Sequence, residues 1–226
     1  TGSQVMGDHV TLTARGQAGG RRTGSSLGYV FGDGAAAMLV VSSGSVSFAP
    51  GSAQGNGTFT IGDNDSFTGL GTVGIFAPGG VTYGTGTTIG AKNLLLSGTA
   101  INIGDAATLA SARTAGTLPG GFDLSTQALD AILAGNAEAG IPGAPTLSLQ
   151  ASNSVHFYGS VTLDASGASG GAGLKELDFQ TPAIYGAGSS TDAATLSVGT
   201  LVWTGTEGHV PGITNQYSYS SASGVP

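Results

Sequence analysis

Short apolar runs of about four to six residues recur along this chain, separated by clusters of Gly, Pro, Asn and Asp. Runs of this length, bounded by these residues, are typical of β-strands joined by tight turns. Residues 58–61, for example, read Thr-Phe-Thr-Ile and are followed by Gly-Asp-Asn-Asp. The pattern predicts a chain built from many short strands.

The composition agrees with strands rather than with helices or disorder. Gly accounts for 42 of the 226 residues and only 8% of the residues are charged, against about 25% in a typical soluble domain. The hydrophobic fraction is 39%, which is high for a chain that stays unfolded because it has too little apolar surface to bury. No run of about 18 consecutive apolar residues is present, which excludes an apolar transmembrane helix.

Charge and cysteine content narrow the functional class. Six Lys and Arg stand against thirteen Asp and Glu, and no basic stripe is present that could neutralise phosphates, so we expect no nucleic-acid partner. Because the chain has no Cys, its stability comes without disulfides. It begins at Thr1 without a signal-peptide pattern, and we interpret it as an internal piece of a longer exported chain.

An imperfect repeat of roughly 20–30 residues appears in the second half of the chain. Each copy contains an apolar-x-apolar unit, a small polar corner, a second apolar strand and a Gly; the copies lie at 93–104, 146–159, 176–186 and 194–205. Alternation along the strands predicts an inward face formed by Leu147 and Leu149, Leu177 and Phe179, and Leu196 and Val198. Stacked copies of such a unit form a solenoid, and we predict a right-handed parallel β-helix.

One segment has helical spacing. Residues 123–136 place Leu124, Leu129 and Ile132 on one face. Asp123 or Ser125 is suited to cap the start of a helix and Gly135 to end it. We predict one short helical insertion near residues 124–134 and no other substantial helix.

The predicted organisation has three parts. Residues 1–90 form irregular strand-rich units, residues 91–210 carry the repeats with the helical insertion at 123–136, and residues 211–226 are a tail leading into a further part of a longer chain.

Three segments resemble a known family. Residues 122–130, 152–163 and 177–186 are similar to the repetitive region of filamentous-haemagglutinin-like outer-membrane exoproteins, which are adhesins of the two-partner-secretion type. The resemblance implies a β-helical rod that is secreted and displayed on a bacterial cell surface, with no catalytic residues and no cofactor. The partners we expect are other segments of its own longer chain, copies of itself end to end, and the surface or glycans of a host or neighbouring cell.

The sequence offers one weak candidate for a metal site. Asp63 and Asp65, together with the side-chain oxygen of Asn64, are hard oxygen ligands of the kind that Ca²⁺ prefers. The bidentate Glu expected downstream is missing, and Asp and Asn are ordinary turn residues. We therefore predict no metal site and no cofactor.

Acidic residues near one strand are the closest approach to a carbohydrate-cleaving pair. Asp164, Glu176 and Asp178 lie there, with Lys175 beside them, and glycan cleavage needs two carboxylates or a carboxylate with a basic partner. Charges in this position more often keep a strand edge soluble. We predict no catalytic residue and no enzymatic activity.

We interpret the repeated aromatic side chains and the histidines as structural rather than as parts of a binding site. Tyr158, Tyr185 and Trp203 occupy similar places in their repeats, and we favour a stacking ladder over a sugar-binding stripe. His156 lies between Val155 and Phe157, so we predict that it points outward. His9 and His209 lie in unrelated contexts.

The sequence is compatible with three functions. The favoured one is a structural segment of a secreted bacterial surface adhesin or extracellular filament. The alternatives are a carbohydrate-binding or carbohydrate-cleaving β-helix, and a self-assembling extracellular fibre in which copies of the chain stack end to end. A fold alone does not choose among such functions.

Overall fold

A computed structural model describes residues 3–14, 29–31, 37–48, 56–135, 140, 143–164 and 174–205. Within these ranges the chain forms the helices α1 (Ala106–Thr114) and α2 (Thr126–Ala134). The strands are β1 (Gln4–Val5), β2 (Thr11–Ala14), β3 (Tyr29–Phe31), β4 (Met38–Ser42), β5 (Val46–Phe48), β6 (Thr58–Thr60), β7 (Ser66–Gly69), β8 (Thr72–Phe76), β9 (Gly80–Thr82), β10 (Thr88–Gly90), β11 (Asn93–Gly104), β12 (Phe122–Ser125), β13 (Thr146–Tyr158), β14 (Val161–Asp164), β15 (Glu176–Gln180), β16 (Ile184–Ala187), β17 (Ala194–Ser197) and β18 (Thr200–Thr204). His209 and the predicted tail at 211–226 lie outside the described residues.

The described strands are divided among five sheets. The largest follows the order β18-β15-β13-β11-β8-β4, with β12 beside β11 and β16 beside β13. The smaller sheets are β1-β6-β9, β10-β7-β2, β14-β17 and β3-β5. Most neighbours run parallel, but β4 runs antiparallel to β8, so the largest sheet is mixed.

The predicted right-handed parallel β-helix is therefore wrong. Several small parallel and mixed sheets with two helices replace the single solenoid that the repeats indicated. The physical reason is that an alternating apolar pattern defines which face of a strand is buried but not its direction or its sheet, because the period of two is the same in parallel and antiparallel strands.

Two columns of apolar side chains cross the largest sheet. The first contains Val73, Leu94, Leu147, Leu177 and Leu201; the second contains Ile75, Leu96, Leu149, Phe179 and Trp203. We call them the apolar columns. Their members on β8, β11, β13 and β15 are at most 2% exposed, so the columns form the centre of the hydrophobic core.

The alignment of the repeats is correct for the copies at 93–104, 146–159 and 176–186 and wrong for the copy at 194–205. Leu196 and Val198 do pack against the core as predicted. Parallel register confirms that Leu147 and Leu177 share one face. The next member of that column is Leu201 rather than Leu196, which instead pairs with Leu163 between β17 and β14. Residues 195–198 and 200–203 alternate in the same way, so alternation could not choose between them.

The predicted helix near 124–134 is confirmed, although it begins at Thr126. The Ser125 hydroxyl accepts a hydrogen bond from the Ala128 amide at 3.1 Å, which caps the start of the helix. Gly135 ends it with φ 65°, a conformation that glycine adopts at low cost.

The prediction of a single helix is wrong because α1 was missed. Asp105 caps α1 by accepting hydrogen bonds from the amides of Ala107 and Thr108. Leu109 is the one buried residue of α1, so the helix lacks the apolar stripe that periodicity detects.

Residues 93–104 form one strand, β11, instead of two strands around a corner. The small residue Gly98 lies where the register of β11 against β13 shifts. A Cβ at this position would lie 2.7 Å from the Phe122 ring. The absence of a side chain at Gly98 therefore lets Phe122 pack against the strand.

Candidate functional site

The oxygens of the weak calcium candidate at Asp63 and Asp65 accept hydrogen bonds from the chain itself. Both oxygens of the buried Asp65 carboxylate accept backbone amides, from Val10 at 2.8 Å and from Gly62 at 2.9 Å. Asp63 Oδ1 accepts the amide of Thr85 at 2.7 Å and its hydroxyl at 3.0 Å. These carboxylates hold neighbouring turns together. Among the described residues, no three His, Asp or Glu side chains form a group that could hold a metal ion.

The three acidic residues weighed as a carbohydrate-cleaving group, Asp164, Glu176 and Asp178, are only partly brought together. Glu176 and Asp178 lie two positions apart on β15, hence on the same face. Asp178 Oδ2 accepts the Gln180 side-chain amide at 2.5 Å, and its Oδ1 is buried without a hydrogen-bond partner. Asp164 ends β14, in another sheet, and its side chain lies outside what the structure describes.

Four side chains instead lie next to one another across β12, β11, β13 and β16. Parallel register places Asn102 between Asp123 and His156. It places Tyr185 on the other side of His156. We call these four residues the polar row. The row lies on the strand face opposite to the neighbouring core residues, because side chains alternate along a strand.

Asn102 is fixed by two hydrogen bonds. Its Nδ2 donates to Asp123 Oδ1 at 2.7 Å and to the Pro119 carbonyl at 2.9 Å. Its Oδ1 is buried without a hydrogen-bond partner, which carries an energetic penalty. The two donations define the orientation of the amide and connect β11 to both β12 and the segment after α1.

His156 is the buried titratable group of the polar row. It is 2% exposed, and its Nε2 lies 2.6 Å from Ser154 Oγ. Its ring centroid is 5.2 Å from that of Tyr185 and 6.1 Å from that of Tyr158. Burial lowers the pKa of His156 from 6.5 to about 4, because an apolar surrounding disfavours the charged imidazolium.

Helix α1 and residues 115–121 are attached to two members of the polar row and to Tyr158. Arg113 on α1 forms an ion pair with Asp123, and the Asn102 side chain donates to the Pro119 carbonyl. The Tyr158 hydroxyl donates to the Thr117 carbonyl at 3.0 Å. The outward direction predicted for His156 is correct relative to the strand, but its side chain is buried rather than exposed.

The hydroxyl of Tyr83 is buried, and the negative charge of Asp123 acts on it. Tyr83 OH has no hydrogen-bond partner and is inaccessible to solvent. Burial, with a smaller contribution from the negative charge of Asp123, raises the pKa of Tyr83 well above its usual value. Tyr83 therefore stays protonated at physiological pH.

Ser154 and His156 have the separation of a nucleophile and its general base. However, they are only 1% and 2% exposed, so Ser154 Oγ is not accessible from solvent. The hydrogen bond joins two side chains of the same strand, β13. Its role in the folded chain is therefore to satisfy two buried polar groups.

The three rings predicted to form a ladder do not align with one another. The Tyr158 ring stacks with the His156 ring, and the Tyr185 ring is tilted against it. Tyr185 aligns with His156 in the register, whereas Tyr158 aligns with Ala187. Trp203 is not equivalent to them, because it aligns with Phe179 in an apolar column. Sequence reasoning missed the polar row, whose signal was a polar residue between two core residues in successive repeats, as at Asn102.

A second polar cluster surrounds a small cavity of about 70 Å³. Asp192 accepts hydrogen bonds from the Ser160 hydroxyl at 2.8 Å and from the Ser189 amide at 2.6 Å. The hydrogen bond from the Ser189 amide contributes most to lowering the pKa of Asp192, and the bond from the Ser160 hydroxyl lowers it further. They close a surface turn, and sequence reasoning gave no signal for them.

We expect the stability of the protein to fall between pH 7 and pH 5 because of His156. The unfolded chain binds a proton below about pH 6.5, whereas the folded chain resists protonation down to about pH 4. The free energy of unfolding should therefore decrease by about 2 kcal/mol over this interval, and the decrease should continue toward pH 4. Urea denaturation at several pH values measures it.

Two variants test the assignment to His156. His156→Gln should remove most of this pH dependence. The matched variant His9→Asn should keep it, because His9 is exposed and Asn tolerates its positive φ of 62°. Equal slopes for the parent and His156→Gln would show that another group causes the effect.

Comparisons of the chain with protein-family models, with curated proteins and with solved structures give no match. Among the described residues, no helix is long and apolar enough to span a membrane.

Proposed function

We propose that this chain is a structural module of a secreted bacterial surface adhesin, which attaches to host or neighbouring cells through many weak contacts of its outer surface. One observation carries the proposal: among the described residues, the buried members of the apolar columns and of the polar row are engaged in contacts inside the chain.

The apolar columns support a role that needs stiffness. Leu149 lies between Leu96 and Phe179, and Leu147 between Leu94 and Leu177. Burial of a side chain of this size stabilises the folded state by about 1.5–3 kcal/mol. Repetition of this contact from strand to strand gives stability without disulfides, in a chain that has no Cys.

The exposed surface supports attachment by many weak contacts. The exposed positions of β2 and β17 carry Thr, Leu and Ala, and only 8% of the whole chain is charged. Such a surface offers backbone groups and small side chains rather than a preorganised polar site. Many copies displayed together reach high avidity through such contacts although each contact is weak.

The resemblance of residues 122–130, 152–163 and 177–186 to filamentous-haemagglutinin-like exoproteins supports the same role. These residues include Asp123, His156 and Tyr185 of the polar row. The resemblance supplies the bacterial cell surface as the location in this proposal.

We expect beads coated with the chain to adhere to cell monolayers, and a triple variant to adhere equally well. The variant carries Asp164→Asn, Glu176→Gln and Asp178→Asn. These changes remove the three carboxylates that come nearest to a carbohydrate-cleaving pair. Adhesion should stay within about twofold of the parent, because many small contacts outweigh three side chains. Bead retention under flow measures this.

Glycan cleavage by the same two proteins separates this proposal from a carbohydrate-cleaving function. We expect no release of reducing ends from common surface polysaccharides by either protein. Cleavage by the parent that disappears in the triple variant would contradict the proposal. The Leu177→Asp chain serves as the destabilised control and should adhere less than the parent.

A further inference from the structure

Strand β18 leaves the apolar columns uncovered at one end of the largest sheet. Leu201 and Trp203 are 54% and 58% exposed, although they align with the buried Leu177 and Phe179 on β15. Among the described residues, no strand pairs with the outer edge of β18. Adjacent large apolar side chains on an unpaired strand edge mark an interaction surface.

The opposite edge of the sheet is different. There β4 runs antiparallel to β8, and none of its five side chains is exposed. A copy of the chain that docked head to tail would have to join β18 to this half-buried edge. The two edges are therefore poorly matched to each other, and a partner for β18 must be complementary to β18 alone.

The residue order of β18 is complementary to itself. Thr200, Leu201, Val202, Trp203 and Thr204 form a strand that is symmetric in chemistry about its centre. When two such strands pair antiparallel around a twofold axis through Val202, Leu201 lies opposite the partner's Trp203. An aromatic residue opposite an aliphatic one is a favourable cross-strand pair.

We propose that β18 is the dimerisation edge of this protein, and that its occupant is β18 of a second copy in antiparallel register about Val202. This goes beyond the proposed adhesive role, because it assigns a specific surface and a specific partner. A closed twofold interface of this kind gives dimers rather than fibres. Both apolar columns then continue across the interface, and Leu201 and Trp203 become buried.

Charge and side-chain order favour this pairing. Strand β18 contains no charged residue, so no like charges meet across the axis. The indole Nε1 of Trp203 donates to the Thr181 carbonyl at 2.9 Å, which fixes the ring before association and reduces the entropy lost on binding. Each copy carries net charge −7, so moderate salt should strengthen the dimer by screening repulsion.

Sedimentation equilibrium and fluorescence of the full chain test the proposal together. The mass should rise with concentration from 21.8 kDa toward twice that value. Trp203 is the only tryptophan, so its emission should shift to shorter wavelength over the same concentration range. A protein that stays monomeric at all concentrations contradicts the proposal, whether its indole is solvent-exposed or covered by another segment of its own chain.

A single cysteine tests the register. The chain has no Cys, so in Val202→Cys the two thiols of a dimer lie opposite each other at the axis. Directly opposed Cα atoms are about 4.5–5.5 Å apart, which suits a disulfide. Oxidised glutathione should convert this variant into a covalent dimer.

The matched control is Thr204→Cys on the same strand. Its two thiols would be separated by about 14 Å along the paired strands, so it should remain largely uncrosslinked. Equal crosslinking of the two variants, or none in Val202→Cys, contradicts the register. Circular dichroism of both variants confirms that they are folded like the parent.

Two variants of opposite charge at Val202 test whether the dimer forms through β18. Val202→Lys and Val202→Glu should each be monomeric, because like charges meet at the axis. An equimolar mixture should recover a heterodimer with a blue-shifted Trp203. Homodimers of Val202→Lys that persist would place the interface elsewhere and overturn the proposal.

Discussion

We expect Leu177→Asp to lower the free energy of unfolding by at least about 4 kcal/mol. Leu177 is fully buried and lies between Leu147 and Leu201 in the first apolar column. A carboxylate at this position would lose its hydration without gaining a partner. Leu149→Asp and Phe179→Asp should have effects of the same size for the same reason.

The matched variant is Leu201→Asp, which makes the same chemical change on the next strand of the same column. Because Leu201 is 54% exposed, we expect a loss of no more than about 1 kcal/mol when the protein is dilute and monomeric. Urea denaturation of both variants measures the difference. Similar losses for Leu177→Asp and Leu201→Asp would show that the inward face is assigned to the wrong side of the strand.

The second large effect is expected at Gly121, where the chain passes from the segment after α1 into β12. Gly121 has φ 154°, and a Cβ there would lie 2.1 Å from the Ala100 carbonyl oxygen. The clash involves backbone and cannot be relieved by a side-chain rotation. Gly121→Ala should therefore cost about 2–4 kcal/mol, from the disfavoured backbone conformation and the forced displacement of β11.

Gly120→Ala is the control for this prediction. Gly120 is exposed and has no atom within 4 Å of a Cβ, so its substitution should leave stability unchanged or slightly improved. Thermal denaturation of the two variants at neutral pH gives the comparison. If Gly121→Ala melts like Gly120→Ala, then residue 121 does not approach β11 as closely as the structure has it.

The sequence predicted which faces of the main strands are buried, because alternation reports side-chain direction directly. Leu147 and Leu149 face the core as expected. Alternation did not report which strand follows which, so the fourth repeat was assigned to Leu196 instead of Leu201. Nor did it report strand direction, which is why the antiparallel pairing of β4 with β8 could not be foreseen.

The two helices also show what an apolar pattern can and cannot predict. Helix α2 was predictable because Leu129 and Ile132 form an apolar stripe that is buried. Helix α1 buries only Leu109, and the visible signal was the capping residue Asp105. A capping residue without an apolar stripe is weak evidence for a helix, because Asp is also common in turns.

The environment of His156 could not be read from the strand that carries it. The sequence predicted the direction of its side chain but not its burial. Nor did it predict that α1 and residues 115–121 attach to the neighbouring residues through Arg113, Thr117 and Pro119. Such contacts join residues that are distant in sequence, and no local pattern encodes them.

We propose that attachment comes from many weak contacts of a stiff surface rather than from one preorganised site. Binding of the soluble chain and of chain-coated beads to the same cell monolayer, measured over a range of bead coating densities, tests it most directly. We predict that the soluble chain does not saturate the cells at about 100 µM, and that bead retention rises more steeply than in proportion to density. Saturable one-to-one binding of the soluble chain with a Kd near or below about 1 µM would contradict the claim, because it would require a single specific site.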